Sequence, residues 1–138
     1  MVGLPLPRRV VILWTRTENQ ASVPHGRMTI DYADFDKVEM RVGRVLRAEP
    51  FPEARKPALK LWIDFGPEIG IKKSSAQITT HYTPQFVVGG LVIAVTNFPP
   101  RQIGPFMSEV LVLGVPDPDG AVVLLGPDQE VPLGGRVF

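Results

Sequence analysis

The chain has no cysteine among its 138 residues. That excludes disulfides, thiolate nucleophiles and Cys-based zinc sites, and it fits a reducing compartment. Histidine is nearly as scarce, with two copies, and a lone His81 among scattered acids in the body of the chain lacks the spacing of a metal site. Apolar residues make up 44% of the sequence, but none of their runs approaches the roughly 20 residues that a membrane-spanning helix needs, so no membrane insertion is expected. No glycine-rich phosphate loop precedes a helix, and no Gly-x-Ser-x-Gly turn presents a serine. A Ser75/His81/Asp64 relay can be drawn on paper, but His81 sits in a polar turn and reads as a surface or capping residue. Neither catalysis nor a cofactor is expected. The length suits one soluble domain able to bury its own core.

What is abundant is proline, with 15 copies, and glycine, with 13. Long helices have little room among them, and short apolar runs between turns favour an all-β barrel or sandwich. The net charge of +1 is distributed unevenly. Residues 37–73 carry nine basic and five acidic side chains, whereas 102–138 carry one basic and five acidic. The expected molecule is polarised, with one face that attracts anions.

Residues 1–27 differ from the rest. They hold Arg8, Arg9, Arg16 and Arg27 against Glu18, with one apolar run at residues 10–14. They read as a disordered basic arm, an appended strand, or a stretch upstream of a true start at Met28, with the last favoured, and the domain is expected over 28–138. Asp31 suits the cap of a short helix. Val38, Met40 and Val42 then alternate with Glu39 and Arg41 as a strand, and the phase changes at Gly43, which predicts a kink or bulge there. Leu59, Leu61 and Ile63 alternate with Lys60, Trp62 and Asp64, the clearest half-buried strand. A third strand is expected over 69–75. A single helical turn follows over 79–84, stopped by Pro84. The apolar run 91–95 reads as a strand covered on both faces. Two more are expected at 110–113 and 122–125, joined by the Pro-Asp-Pro-Asp-Gly turn at 116–120, and 131–138 adds a short one. This order is that of a five-stranded Greek-key OB-fold barrel with short helical turns and additional C-terminal strands.

Two segments carry candidate binding residues. Lys72, Lys73, Ser74, Ser75 and Gln77 end the third strand, where adjacent charge, hydroxyls and an amide suit phosphate and base edges. A solvated strand end is the plainer alternative. After the apolar fourth strand, Pro99-Pro100 stiffens a loop carrying Asn97, Phe98 and Arg101. An aromatic ring beside an arginine suits stacking on an unpaired base, and it equally suits plugging the barrel end. Trp62 faces away from the Leu59/Leu61/Ile63 side. A partner chain or the short helix near 31–36 are the two candidate covers for it.

The string Asp34-Phe35-x-Lys37-Val38-Glu39-Met40-Arg41-Val42-Gly43 resembles the opening signature of the tRNA-binding OB-fold family. That domain is appended to methionyl-tRNA synthetases and also occurs alone. Lys73-Ser74-Ser75-Ala76-Gln77-Ile78, Asn97-Phe98-Pro99-Pro100-Arg101 and Ser108-Glu109 match it in the same order. Phe51-Pro52-Glu53-Ala54-Arg55, Ile63-Asp64-Phe65-Gly66 and the run 108–114 look like the CsaA-type secretion-chaperone branch. Val110-Leu111 stands where synthetase-type domains carry Gly-Met. The resemblance implies a non-catalytic, cytoplasmic homodimer of OB barrels with two partners, tRNA and unfolded or presecretory polypeptide. It implies an RNA groove at Lys73, Ser75, Asn97, Arg101 and Ser108, and apolar peptide pockets involving Phe98 and Phe106. A tRNA-binding module without chaperone activity is the alternative.

Overall fold

The computed structural model describes residues 28–138, and the expectations for 1–27 lie outside the described residues. Helix α1 (Tyr32–Asp36) leads into β1 (Met40–Pro50), β2 (Leu59–Asp64) and β3 (Ile71–Ala76). Helix α2 (Pro84–Val87) and β4 (Leu91–Val95) follow. Five short strands complete the chain: β5 (Arg101–Ile103), β6 (Phe106–Ser108), β7 (Leu111–Val112), β8 (Gly114–Pro116) and β9 (Val122–Leu124). The five main strands form an antiparallel sheet in the order β3-β2-β1-β4-β7. It curls into a nearly closed barrel, the all-β OB-type architecture that the sequence predicts.

Closure is made by the segment just before β7. The Glu109 and Val110 amides donate to the Lys73 carbonyl at 2.8 and 3.3 Å. The Lys73 amide donates to the Glu109 carboxylate at 2.9 Å, and the Ser75 amide donates to Ser108 Oγ at 3.0 Å. These bonds satisfy the free edge of β3, which would otherwise expose unpaired backbone groups. Inside the barrel, alternation buries Leu59, Leu61 and Ile63 with Val45, Phe65, Val92, Ala94 and Val110.

β1 is long because it serves both halves of the barrel. Met40–Arg44 pairs with β4, and Arg44–Pro50 pairs with β2. The predicted irregularity exists but sits later than Gly43, where the register shifts between Val45 and Arg47. Gly43 is not among the glycines with positive φ. It is glycine for lack of space, since a Cβ there would lie 2.5 Å from Ile63 Cγ2 and 2.7 Å from Phe65 Cε1.

Three further expectations are corrected. A turn over 79–81 does precede Pro84, with the Tyr82 amide donating to the Ile78 carbonyl at 3.2 Å. But Pro84 also begins a helical turn of its own: its ring presets φ at the first helical position, and Thr83 Oγ1 accepts from the Phe86 amide at 3.1 Å. β4 is covered on both faces only at its end: Val92 and Ala94 are buried on one side, whereas on the other Val95 is buried and Leu91 and Ile93 are half-buried. The C-terminal segment forms a single bridge, Arg41 to Arg136, rather than a strand.

Candidate nucleic-acid interface

The residues pointing inward on β2 and β3 build the core, so the intervening ones share the outer face. Cross-strand pairing sets Arg47 opposite Trp62 and Trp62 opposite Lys73. The next outward row sets Glu49 opposite Lys60 and Lys60 opposite Ser75. This face is covered in part by the chain itself. The 51–58 loop and β6 bring Phe51, Ala58 and Phe106 into a buried cluster, against which Trp62, Ala54 and Ile103 pack. The cover for Trp62 is therefore this cluster, while α1 buries none of its residues. The Phe106 ring meets Phe51 edge-on at 5.4 Å between centroids and Trp62 at 5.9 Å.

Three cations lie on this bed of rings. The Arg47 guanidinium sits 4.0 Å above the Trp62 ring and is also paired with Glu49. Lys60 Nζ is 5.3 Å from the Phe51 centroid and 5.7 Å from that of Phe106, and Lys73 Nζ is 5.1 Å from Phe106. The negative faces of the rings attract cations, which offsets the repulsion of bringing three positive groups onto one sheet face. Among the described residues no ion pair involves Lys60 or Lys73, so their charge is directed to solvent or a ligand.

Beside this face a cavity of about 520 Å³ opens between the 53–58 loop, the end of β3, the β5–β6 hairpin and the strands from β7 to β9. Ser75, Gln77 and Arg101, all sequence-predicted, line it. The other predicted residues are dispersed. Lys73 lies on the ring-backed face, whereas Lys72 is one residue out of phase and sits opposite Ile63 on the other side of the sheet. Ser74 and Ser108 are buried at 1% and 0% exposure, out of reach of a large ligand, and the Ser108 hydroxyl is the barrel clasp. Asn97 latches its loop to the start of β1, accepting from the Glu39 amide at 3.0 Å and donating to the Lys37 carbonyl at 2.7 Å. Phe98 is half-buried in that loop. Phe106, expected at an apolar peptide pocket, is a buried member of the ring cluster.

Sequence reading missed Arg47, Lys60, Arg55 and Lys56. The first two were within reach, because the 59–64 alternation already sends Lys60 outward beside Trp62. The loop residues carry no periodic signal. His81 is at the surface, 2.7 Å from Asp117. That hydrogen bond, together with the amides of Ala121 and Asp119, holds the Asp117 carboxyl below its ordinary range. No group of three or more His, Cys, Asp or Glu among the described residues is placed to hold a metal. No described helix is long and apolar enough to cross a membrane.

Residues 40–136 match the family described as "Putative tRNA binding domain". The chain belongs to that family. Two solved structures are similar over their whole length. The chaperone CsaA of Bacillus anthracis is 48% identical with a TM-score of 0.76, covering 80% of this chain and 100% of that one. The CsaA chaperone protein of Picrophilus torridus is 49% identical with a TM-score of 0.75 and the same coverage. The likeness to the CsaA-type branch is thus borne out. The methionine–tRNA ligase of Methanosarcina mazei is 35% identical over 108 residues, which are 78% of this chain but only 15% of that enzyme.

Proposed function

We propose that this chain binds tRNA through the outer face of β1–β3 and the groove beside it. The observation that carries the reading is the set of three cations, Arg47, Lys60 and Lys73, held over Trp62, Phe51 and Phe106 at the edge of a cavity rimmed by further basic residues. Fixed positive charge beside hydrogen-bonding groups is what a folded RNA backbone with exposed loop bases requires. Membership of the tRNA-binding domain family supports the same ligand. In this reading Lys73, Ser75, Gln77 and Arg101 touch RNA, Lys72 lies on the opposite side of β3 from that face, and Ser74, Asn97 and Ser108 fix the backbone that presents them. The protein is a cytoplasmic binding module and not a catalyst.

The similarity to CsaA chaperones supports a second activity, binding of unfolded or presecretory polypeptide in aid of secretion. Phe98 is the candidate contact for it. A homodimer is favoured by the apolar pair Val115 and Val123, which face each other across β8–β9 and remain 47% and 38% exposed.

The test is tRNA binding by the full chain across a salt series, with an unfolded export precursor as competitor and the sedimentation behaviour recorded. Lys60→Ala and Lys73→Ala should each weaken binding and lower the slope of log affinity against log salt by about 0.7–0.9. Slopes unchanged in both variants would remove the ring-backed face from the account. Displacement of tRNA by the precursor would mean that the two partners share a surface; failure to bind any precursor would leave tRNA as the only partner.

A further inference from the structure

The cavity beside the ring-backed face has properties that a backbone-binding surface does not need. At about 520 Å³ it falls in the range of roughly 300–1,000 Å³ typical of small-ligand sites. Its wall is partly aliphatic, with Ile78 and Val112 among the lining residues. The Gln77 amide stands beside Ile78 on the same stretch of chain, half-buried. Arg55, Lys56 and Arg101 also line it, against the single carboxylate of Glu53. The walls are firm. Gln102 Nε2 donates to the Gly104 carbonyl at 2.7 Å and fixes the tip of the β5–β6 hairpin. Gly104, at φ +53°, makes the turn at that tip near the Glu53 backbone.

We infer that this cavity receives one unpaired nucleotide. Its base lies against the aliphatic wall with Gln77 at its edge, and its phosphate is held by Arg55, Lys56 and Arg101. The inference rests on the tRNA reading above and assigns a ligand to the cavity, distinct from the backbone contacts of Lys60 and Lys73. Three arguments select this ligand. A paired base cannot enter, because RNA bases are read in such pockets only when splayed from the helix. An inorganic anion would satisfy the cations but leave the aliphatic wall bare, whereas a flat base fills it. An amide presents its donor and its acceptor on two separate atoms, which can meet two positions of a base edge at once, whereas a hydroxyl does both through one oxygen and an ammonium only donates. The guanidinium groups add planar surfaces on which a base can stack.

The experiment titrates the full chain with 5′-AMP, 5′-CMP, 5′-GMP and 5′-UMP by calorimetry, with inorganic phosphate, tRNA and an unfolded polypeptide in parallel. At least one nucleotide should saturate a single site per chain and bind more tightly than phosphate. Gln77→Ala should weaken that nucleotide by about fivefold or more, as expected for loss of a good base-edge contact, and leave phosphate binding unchanged. Arg101→Ala should weaken both. The thermal midpoint of each variant verifies that it is folded. If tRNA binds but no nucleotide binds better than phosphate, the cavity is an anion site at most and the inference fails while the tRNA reading stands. If a nucleotide saturates the site and tRNA does not bind, the inference holds and the tRNA reading falls. If an unfolded polypeptide saturates the cavity in place of nucleotide, with Gln77→Ala weakening the peptide, the inference is overturned in favour of the chaperone activity.

Discussion

Replacing Phe106 by leucine separates two ideas about the ring-backed face: that the rings are ordinary core, and that they hold the cations in place. Phe106 is 7% exposed and touches four partners through its ring. Two are edge-on aromatic contacts, to Phe51 and Trp62, worth about 0.5–1.5 kcal/mol each. Two are the cations of Lys60 and Lys73, worth about 0.5–1 kcal/mol each where water has access. The full sum of about 2–5 kcal/mol is an upper bound, because the four contacts share one ring and leucine restores most of the buried area. The expected loss is about 2–3 kcal/mol, and the thermal midpoint should fall by about 10 °C. The variant keeps both ammonium groups but no longer fixes where they lie. Its tRNA affinity should therefore drop several-fold while the salt slope stays at the wild-type value, since the slope counts phosphates neutralised and not how well the neutralising groups are positioned. Lys73→Ala behaves differently, losing affinity and slope together. Unfolding in urea gives the stability change, and the salt series gives the slope. A Phe106→Leu variant with lower stability but wild-type affinity would refute the claim that the rings position the cations. A reduced slope would refute it as well, by showing that phosphate contacts disappear with the ring.

Two further predictions concern the frame of the site. Gly43→Ala should cost about 1–3 kcal/mol, because the added carbon meets Ile63 Cγ2 and Phe65 inside van der Waals contact. Pairing it with Ile63→Leu, which removes Cγ2, should recover part of that loss, and strict additivity of the two substitutions in urea unfolding would refute the steric account. Asp117→Asn should flatten the acid side of the stability profile. The Asp117 carboxyl is held below its ordinary 3.8 first by the His81 hydrogen bond and then by the Ala121 amide. A depressed carboxyl stabilises the fold above its unfolded value and loses that contribution as pH falls through the folded one. Urea midpoints measured from pH 3 to 7 that run parallel in wild type and variant would show that the His81–Asp117 pair contributes nothing.

Much of the barrel is legible in the sequence because its signals are local. The alternation at 59–64 fixes which residues are core, and it is the same alternation that sends Lys60 and Trp62 to the outer face. Pro84 shows how a local signal is misread. A proline marks either the end of a helix or its first position, and the preceding threonine decides between them, since its hydroxyl caps the turn that follows. The kink in β1 lies beyond Gly43 for a different reason. Gly43 breaks the hydrophobic alternation, but what it answers to is the side chains of Ile63 and Phe65, a contact that only the folded barrel creates.

The binding face was harder to read because a shared motif mixes residues that touch a ligand with residues that hold the backbone. Ser108 and Asn97 belong to motifs that suggest RNA contact. Yet one hydroxyl closes the barrel against the Ser75 amide, and one amide ties its loop to the start of β1. Neighbours in sequence are also separated by the pleat: Lys72 and Lys73 read as one basic pair but project to opposite sides of β3. What replaces that pair is assembled from distant parts of the chain. Phe51 comes from the loop after β1, Trp62 and Lys60 from β2, Lys73 from β3 and Phe106 from β6, and each ring contributes only because the others pack it there. In the proposed reading the face works through that packing: the buried rings of Phe51 and Phe106, with half-buried Trp62, set the positions of cations that can meet a ligand.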